Sequence, residues 1–314
     1  MRVGVVDIGT NSTRLLIADV EDGAIAELDR RSEVTRLGQG VDTSGRLATE
    51  AMARVFATLD AYRDALDAAG VSADARIAVL TSATRDAANG PDFTRRVQDD
   101  YGLDARTLSG EDEAQLTFQG ATHGRDPSDT TPLLVADIGG GSTELIVGAA
   151  GGEQPSFHVS LQAGVVRQTE RHLHHDPPPP RELRHVADDV RATIETHVPE
   201  AVRTSAVAAV GVAGTATSLA AIDQELDPYD PRRVHGSVLE RAEIELLLAR
   251  LAQLPLADRR DVRGLHPDRA PTIVAGAAIL LEVLRAFDLR RVEVSEHDLL
   301  HGVALARAAG TLTE

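Results

Sequence analysis

The 314-residue chain has no cysteine, no tryptophan and only 3% aromatic residues, and all 32 of its strongly basic side chains are arginines. Without cysteine there are no disulfides and no thiolate metal sites, and a reducing compartment, the cytoplasm, is the expected location. Few aromatics leave no evident platform for stacking a nucleobase. Long hydrophobic runs are missing too. The longest, Ile273 to Leu281, contains Gly276 and stops at Glu282, well short of a membrane span. At the N-terminus Asp7 breaks the apolar run too early for a signal-peptide core. The net charge of −17 argues against nucleic acid as a partner, because phosphate-backbone affinity needs many distributed cations. A polyanionic ligand would have to be held locally, by arginines and backbone N–H groups.

What the sequence does contain is a repeat. Residues 5–17 and 135–147 align without a gap, with seven of thirteen positions identical: Val5/Val135, Asp7/Asp137, Ile8/Ile138, Gly9/Gly139, Ser12/Ser142, Thr13/Thr143 and Leu15/Leu145. Each copy runs from an apolar stretch through Asp and a turn-rich tetrapeptide into a second apolar stretch, the pattern of a β-hairpin. Two such hairpins imply two related domains. Gly139, Gly140 and Gly141 let the backbone approach a ligand closely and aim successive N–H groups at it, and Gly9 serves the first copy. Thr10, Asn11, Ser12, Ser142 and Thr143 add side-chain donors. At one aligned position the copies diverge, with Arg14 in the first and Glu144 in the second. An arginine there suits phosphate oxygens, whereas a glutamate beside Asp137 suits a divalent metal or an oriented water.

Around the hairpins the chain alternates helical and strand-like segments, which is α/β organisation. Residues 48–69 carry apolar side chains at helical spacing with Gly70 as the stop, and 76–81 reads as a buried strand. Residues 105–108 form a short strand leading into SGEDEAQLTFQGA, where Ser109 and Asp112 make a capping box for a helix from Gly110. Polar, turn-rich residues 124–132 mark the boundary between domains 1–126 and 127–314. In the second half, 181–198 and 240–254 read as helices and 206–210 as a strand. A helix runs from Pro271 at its first position to about Phe287, followed by a strand at 291–294 and a helix at 299–309. The His172, His174 and His175 cluster before a proline run matches no common zinc spacing and reads as an exposed helix end.

Five segments stand in order: DIGTNSTRL, TSATRDAAN, LSGEDEAQLTFQGA, DIGGGSTE and GVAGTATS. As an ordered set they resemble the exopolyphosphatase and guanosine pentaphosphate phosphohydrolase family, within the actin, Hsp70 and sugar-kinase superfamily. The resemblance implies two ribonuclease-H-like domains facing across a cleft, Mg²⁺ (or Mn²⁺) as cofactor, and hydrolysis of a phosphoric anhydride. It implies Glu113 as general base and Arg85 as a catalytic cation, with Asp137, Glu144 and Asp7 on the metal. Gly9, Thr10, Asn11, Ser12, Arg14, Gly139, Gly140, Gly141, Ser142, Gly214 and Thr215 would bind substrate phosphate. Glu111 and Asp112 meet the chemical need for a base as well as Glu113, and the motif match selects Glu113. The implied reaction is release of terminal orthophosphate from inorganic polyphosphate. Conversion of pppGpp to ppGpp is the alternative, and an ATP-dependent kinase or a phosphate sensor are remoter ones. The family likeness also leaves room for a homodimer. Pro271 stands where the family commonly has Asp, and SEHDLLHG replaces the usual Gly-Leu-Arg-Glu-Gly run. The chain stops before the helical domains of long members, so short polyphosphates are the expected substrates.

Overall fold

The computed structural model describes residues 1–312 and divides into two compact units. Met1–Gly124 is joined by the segment from Asp298 onward, and Arg125–His297 forms the other unit. The break after Gly124 falls in the turn-rich segment read as the boundary. The sequence-based division, however, assigned everything from 127 to 314 to one domain, and the structure returns the last helix to the first unit.

The first unit is built on a five-stranded sheet of β1 (Arg2–Ile8), β2 (Thr13–Glu21), β3 (Ala24–Glu33), β4 (Arg76–Leu80) and β5 (Asp104–Thr107), in the order β3-β2-β1-β4-β5. β1, β2 and β3 form an antiparallel meander, and β4 and β5 continue the sheet in parallel with β1. Strand alternation sends Val6 and Ile8 to one face, where Leu59 and Leu66 of the helix Thr49–Ala68 cover them. Val3 and Val5 go to the other, where Leu300 and Val303 of the helix Leu299–Ala309 lie. A sheet buried on both faces explains why β1 is an unbroken apolar run.

The second unit carries β6 (Pro132–Ile138), β7 (Thr143–Ala149), β8 (Phe157–Leu161), β9 (Ala208–Val212), β10 (Val238–Glu240) and β11 (Arg291–Val294), in the order β10-β11-β9-β6-β7-β8. With β10 set aside, β6, β7, β8, β9 and β11 occupy the places of β1 to β5. The repeat is therefore one of whole sheets, and the two-unit α/β expectation holds. The apolar run near 273–281 becomes the helix Ile273–Ala286, almost wholly buried in the core of this unit. Among the described residues no helix is long and apolar enough to cross a membrane. Pro271 is not at the first position of that helix; Thr272 is its N-cap, so the proline sits in the preceding turn.

Two glycines fix the returning helix. A Cβ on Gly302 would lie 1.8 Å from the Leu116 carbonyl oxygen, and one on Gly120 would lie 2.0 Å from that of Asp298. The helix Gly110–Thr122 and the helix Leu299–Ala309 thus touch backbone to backbone. Arg307 adds an ion pair to Asp104 at 2.8 Å. In the second unit the histidine-rich loop is closed by Glu182, which accepts from His174 N–H at 2.9 Å and lies 2.5 Å from His175 Nδ1.

Candidate active site

The turn between β1 and β2 is closed by Gly9 N–H donating to Ser12 O at 2.9 Å. Its carbonyl side is tied down from behind, Thr10 O accepting from Gly38 N–H at 2.8 Å and Asn11 O from Arg36 N–H at 2.9 Å. Among the described residues no backbone carbonyl accepts from the N–H groups of Thr10, Asn11 or Ser12. Anchoring the carbonyls leaves the amides directed the other way, which is how a backbone loop presents itself to an oxyanion. The Thr10 hydroxyl is 2.8 Å from Ser82 Oγ and accepts from Ala83 N–H at 3.2 Å.

Asp7 and Arg14 face each other across the hairpin. Arg14 grips Asp7 Oδ2 through Nε at 2.8 Å and Nη2 at 2.6 Å, and its Nη1 donates to Asp298 Oδ2. Arg14 is thus clamped between two carboxylates. Asp7 Oδ1 is buried and has no hydrogen-bond partner. Burial pushes the Asp7 carboxyl above its ordinary range, against the opposing pull of Arg14. For Asp298 burial also pushes upward, but Arg14, Arg30 and His301 together hold it below the usual value.

The helix Gly110–Thr122 begins at Ser109, whose Oγ accepts from Asp112 N–H at 3.1 Å. The reciprocal half of the expected capping box is absent, because the Asp112 carboxylate takes the Ser109 hydroxyl at 2.6 Å instead. Three acids occupy the first turn, and burial separates them: Glu111 and Asp112 are exposed, whereas Glu113 is only 5% exposed. Arg85, from the helix Ser82–Asp86, donates Nη1 to Glu113 Oε2 at 3.0 Å and to Leu108 O at 3.0 Å. The acid and the cation that the motifs single out are therefore joined as an ion pair at the start of this helix.

The second unit repeats the turn. Gly139 N–H donates to Ser142 O at 3.0 Å, and the carbonyls are again taken from behind. Val165 N–H reaches Gly139 O at 2.9 Å, Val166 N–H reaches Gly140 O at 2.8 Å, and Gly164 N–H reaches Gly141 O at 3.1 Å. Arg167 Nε also holds Gly141 O, at 2.9 Å. Among the described residues no backbone carbonyl accepts from the N–H groups of Gly140, Gly141 or Ser142. Gly164 is required here, since a Cβ would lie 2.4 Å from the Gly140 carbonyl carbon. Thr143 spends its hydroxyl on Ala163 O at 2.7 Å. Asp137 and Glu144 are cross-strand partners, 7% and 1% exposed, so two buried carboxylates stand where the first unit has an ion pair. Ser160 on β8 donates to Glu144 Oε1 at 2.8 Å.

The helix Ala213–Asp223 follows β9 directly and opens on Ala213 in a left-handed conformation, φ 58°. Gly214 is packed against the Arg269 guanidinium, whose Nη1 would be 1.7 Å from a Cβ at that position. Thr215, read as part of a phosphate clamp, donates its hydroxyl to Ile138 O at 3.0 Å and so braces the end of β6.

Comparison with known proteins assigns these features to a family. The profile of the Ppx/GppA phosphatase family matches residues 16–309. The chain belongs to that family. It is 37% identical over 320 residues to Exopolyphosphatase 2 of Mycobacterium tuberculosis, covering 98% of each protein. Among solved structures it is similar to the Aquifex aeolicus Ppx/GppA family member, with TM-score 0.81 and 30% identity over 100% of this chain and 99% of that one. An exopolyphosphatase from Cytophaga hutchinsonii gives TM-score 0.88 at 27% identity over 99% and 98%. Ppx/GppA membership fits the ordered motifs, and the structure adds side chains that sequence reading passed over: Ser160, Arg167, Arg269 and Asp298. Asp298 alone had a local signal, as an N-cap acid before an apolar helix; the other three are defined by contacts distant in sequence.

Proposed function

We propose that this protein is an exopolyphosphatase that releases terminal orthophosphate from inorganic polyphosphate in the cytoplasm. The observation that carries the reading is the shared construction of the turns at Gly9–Ser12 and Gly139–Ser142, each with carbonyls anchored behind and amides left to meet phosphate oxygens. The 37% identity to a mycobacterial exopolyphosphatase supports it. Glu113 is the general base: it takes a proton from water as the water oxygen attacks phosphorus and the bridging P–O bond to the shortened chain breaks. Arg85 holds that carboxylate and offers its remaining N–H donors to the terminal phosphate. Gly214 contributes a backbone N–H at the uncapped start of its helix.

Two features of the donor set fit a divalent cation, Mg²⁺ or Mn²⁺. Asp7 Oδ1 is an orphaned buried carboxylate oxygen, and Asp137 and Glu144 are opposed buried acids, oxygen donors of the kind a hard divalent cation takes. Asp7 in the first unit, and Asp137 with Glu144 in the second, are the acids that would serve such an ion, which would neutralise developing charge on phosphate oxygens. With 3% aromatic residues and no tryptophan, a guanine-stacking pocket has little to be built from, so polyphosphate is preferred to pppGpp.

The test is an orthophosphate-release assay with Mg²⁺ on polyphosphates of graded length, pppGpp and ATP. Release of orthophosphate from polyphosphate is the expected result. Turnover of pppGpp alone would replace this reading.

A further inference from the structure

We propose that Asp298, carried back to the first sheet by the C-terminal helix, is a positioning residue for Asp7: it sets the charge of a buried network and thereby the affinity of the first turn for a divalent cation. The proposal rests on the placement of Asp7 at the cation made above.

The network is a chain of fixed contacts within one unit. Asp298 is 1% exposed, and Leu300 N–H donates to its Oδ1 at 3.0 Å, which orients the carboxylate as the N-cap of the helix Leu299–Ala309. Its Oδ2 accepts from Arg14 Nη1. Arg14 in turn holds Asp7 Oδ2 through two nitrogens, at 2.8 Å and 2.6 Å. A guanidinium held at one end by Asp298 cannot swing round to cover both oxygens of Asp7. Asp7 Oδ1 is left buried with no hydrogen-bond partner. It lies beside the phosphate-turn glycine, 3.9 Å from where a Gly9 Cβ would stand.

Charge leads to the same conclusion. Two carboxylates share the one guanidinium that touches both, and Arg30 and His301 act on Asp298 rather than on Asp7, so around Asp7 negative charge exceeds positive in a buried setting, where an uncompensated charge is costly. Had Arg14 only Asp7 to serve, the pair would be neutral and Oδ1 would attract a cation weakly. Asp298 draws on the same positive charge and leaves the excess at the only unpartnered oxygen of the trio.

The experiment is a calorimetric titration of Mn²⁺ into the full chain, without polyphosphate, for the wild type, Asp298→Asn, Asp7→Asn and the double variant. Melting temperatures report folding, and Asp298→Ser, which keeps a helix-capping oxygen without the charge, serves if the asparagine variant does not fold. We expect Asp298→Asn to raise the Mn²⁺ dissociation constant by about tenfold, on the scale of one unit of charge removed close to the ion. In the Asp7→Asn background the same change should have almost no further effect, a coupling that a merely structural role would not produce. Unchanged affinity in Asp298→Asn, an equal loss in the Asp7→Asn background, or no Mn²⁺ binding by the wild type would each overturn the proposal. Failure of the polyphosphate reading would register separately, as a lack of orthophosphate release.

Discussion

Asp7 and Asp137 occupy the same position in two copies of one hairpin, and the residue opposite each decides its chemistry. Arg14 makes the first copy an internal ion pair; Glu144 makes the second a pair of buried acids. The substitution was visible in the sequence; the second carboxylate partner of Arg14 was not. A guanidinium beside a phosphate turn suits phosphate, and only the return of Asp298 from 284 residues away shows it engaged elsewhere. Charge also governs stability at this scale. Hydrogen bonding from Arg106, with further help from Arg307, holds Asp104 below the usual carboxylate range. A depressed carboxyl contributes stability above its unfolded pKa, about 4, and that contribution disappears as pH falls through the lower folded value. Asp104→Asn should therefore lower the melting temperature at neutral pH by more than it does in strong acid, measured by thermal denaturation across that range. An equal loss at both ends would contradict the assignment.

Elements were legible where periodicity was strong. The helix Thr49–Ala68 and the helix Leu299–Ala309 lie where apolar spacing placed them, and β1, β2, β6 and β7 follow the repeat. Pro271 misled because its fitness for a helix start is local, whereas the start at Ile273 is set by packing into the core. Which sheet the last helix covers was not readable at all, since amphipathicity names a face but no partner. The glycines that bring Gly120 and Gly302 together are the record of that choice. Gly302→Ala would set a methyl 1.8 Å from the Leu116 carbonyl oxygen, and backbone cannot yield as a flexible side chain does. The expected cost is about 3 kcal/mol, at the upper end for overpacking. Because Leu116 belongs to the helix that carries Glu113, activity should fall with stability; denaturant unfolding with parallel assays measures both. A variant as stable and active as the wild type would refute the close contact.

At the scale of the molecule, one sheet plan is used twice with unequal endowment. The first unit carries the buried Glu113 with Arg85, the second carries the opposed acids Asp137 and Glu144, and each carries an amide turn. The motifs named these residues because each lies at the end of a strand or the start of a helix, where local sequence determines geometry. The hydroxyls of Thr10 and Thr215 meet neighbours distant in sequence, Ser82 and Ile138, which no local motif reveals. By this account hydrolysis fails when either unit loses its acid, and binding outlasts the loss of the base. The most direct measurement is the turnover of Glu113→Gln on short polyphosphate with Mg²⁺, set beside its polyphosphate dissociation constant. The account predicts a fall in kcat of roughly 100- to 10,000-fold, the usual contribution of a general base, with the dissociation constant within about threefold of wild type. Turnover close to wild type, or a loss explained wholly by weaker binding, would contradict it.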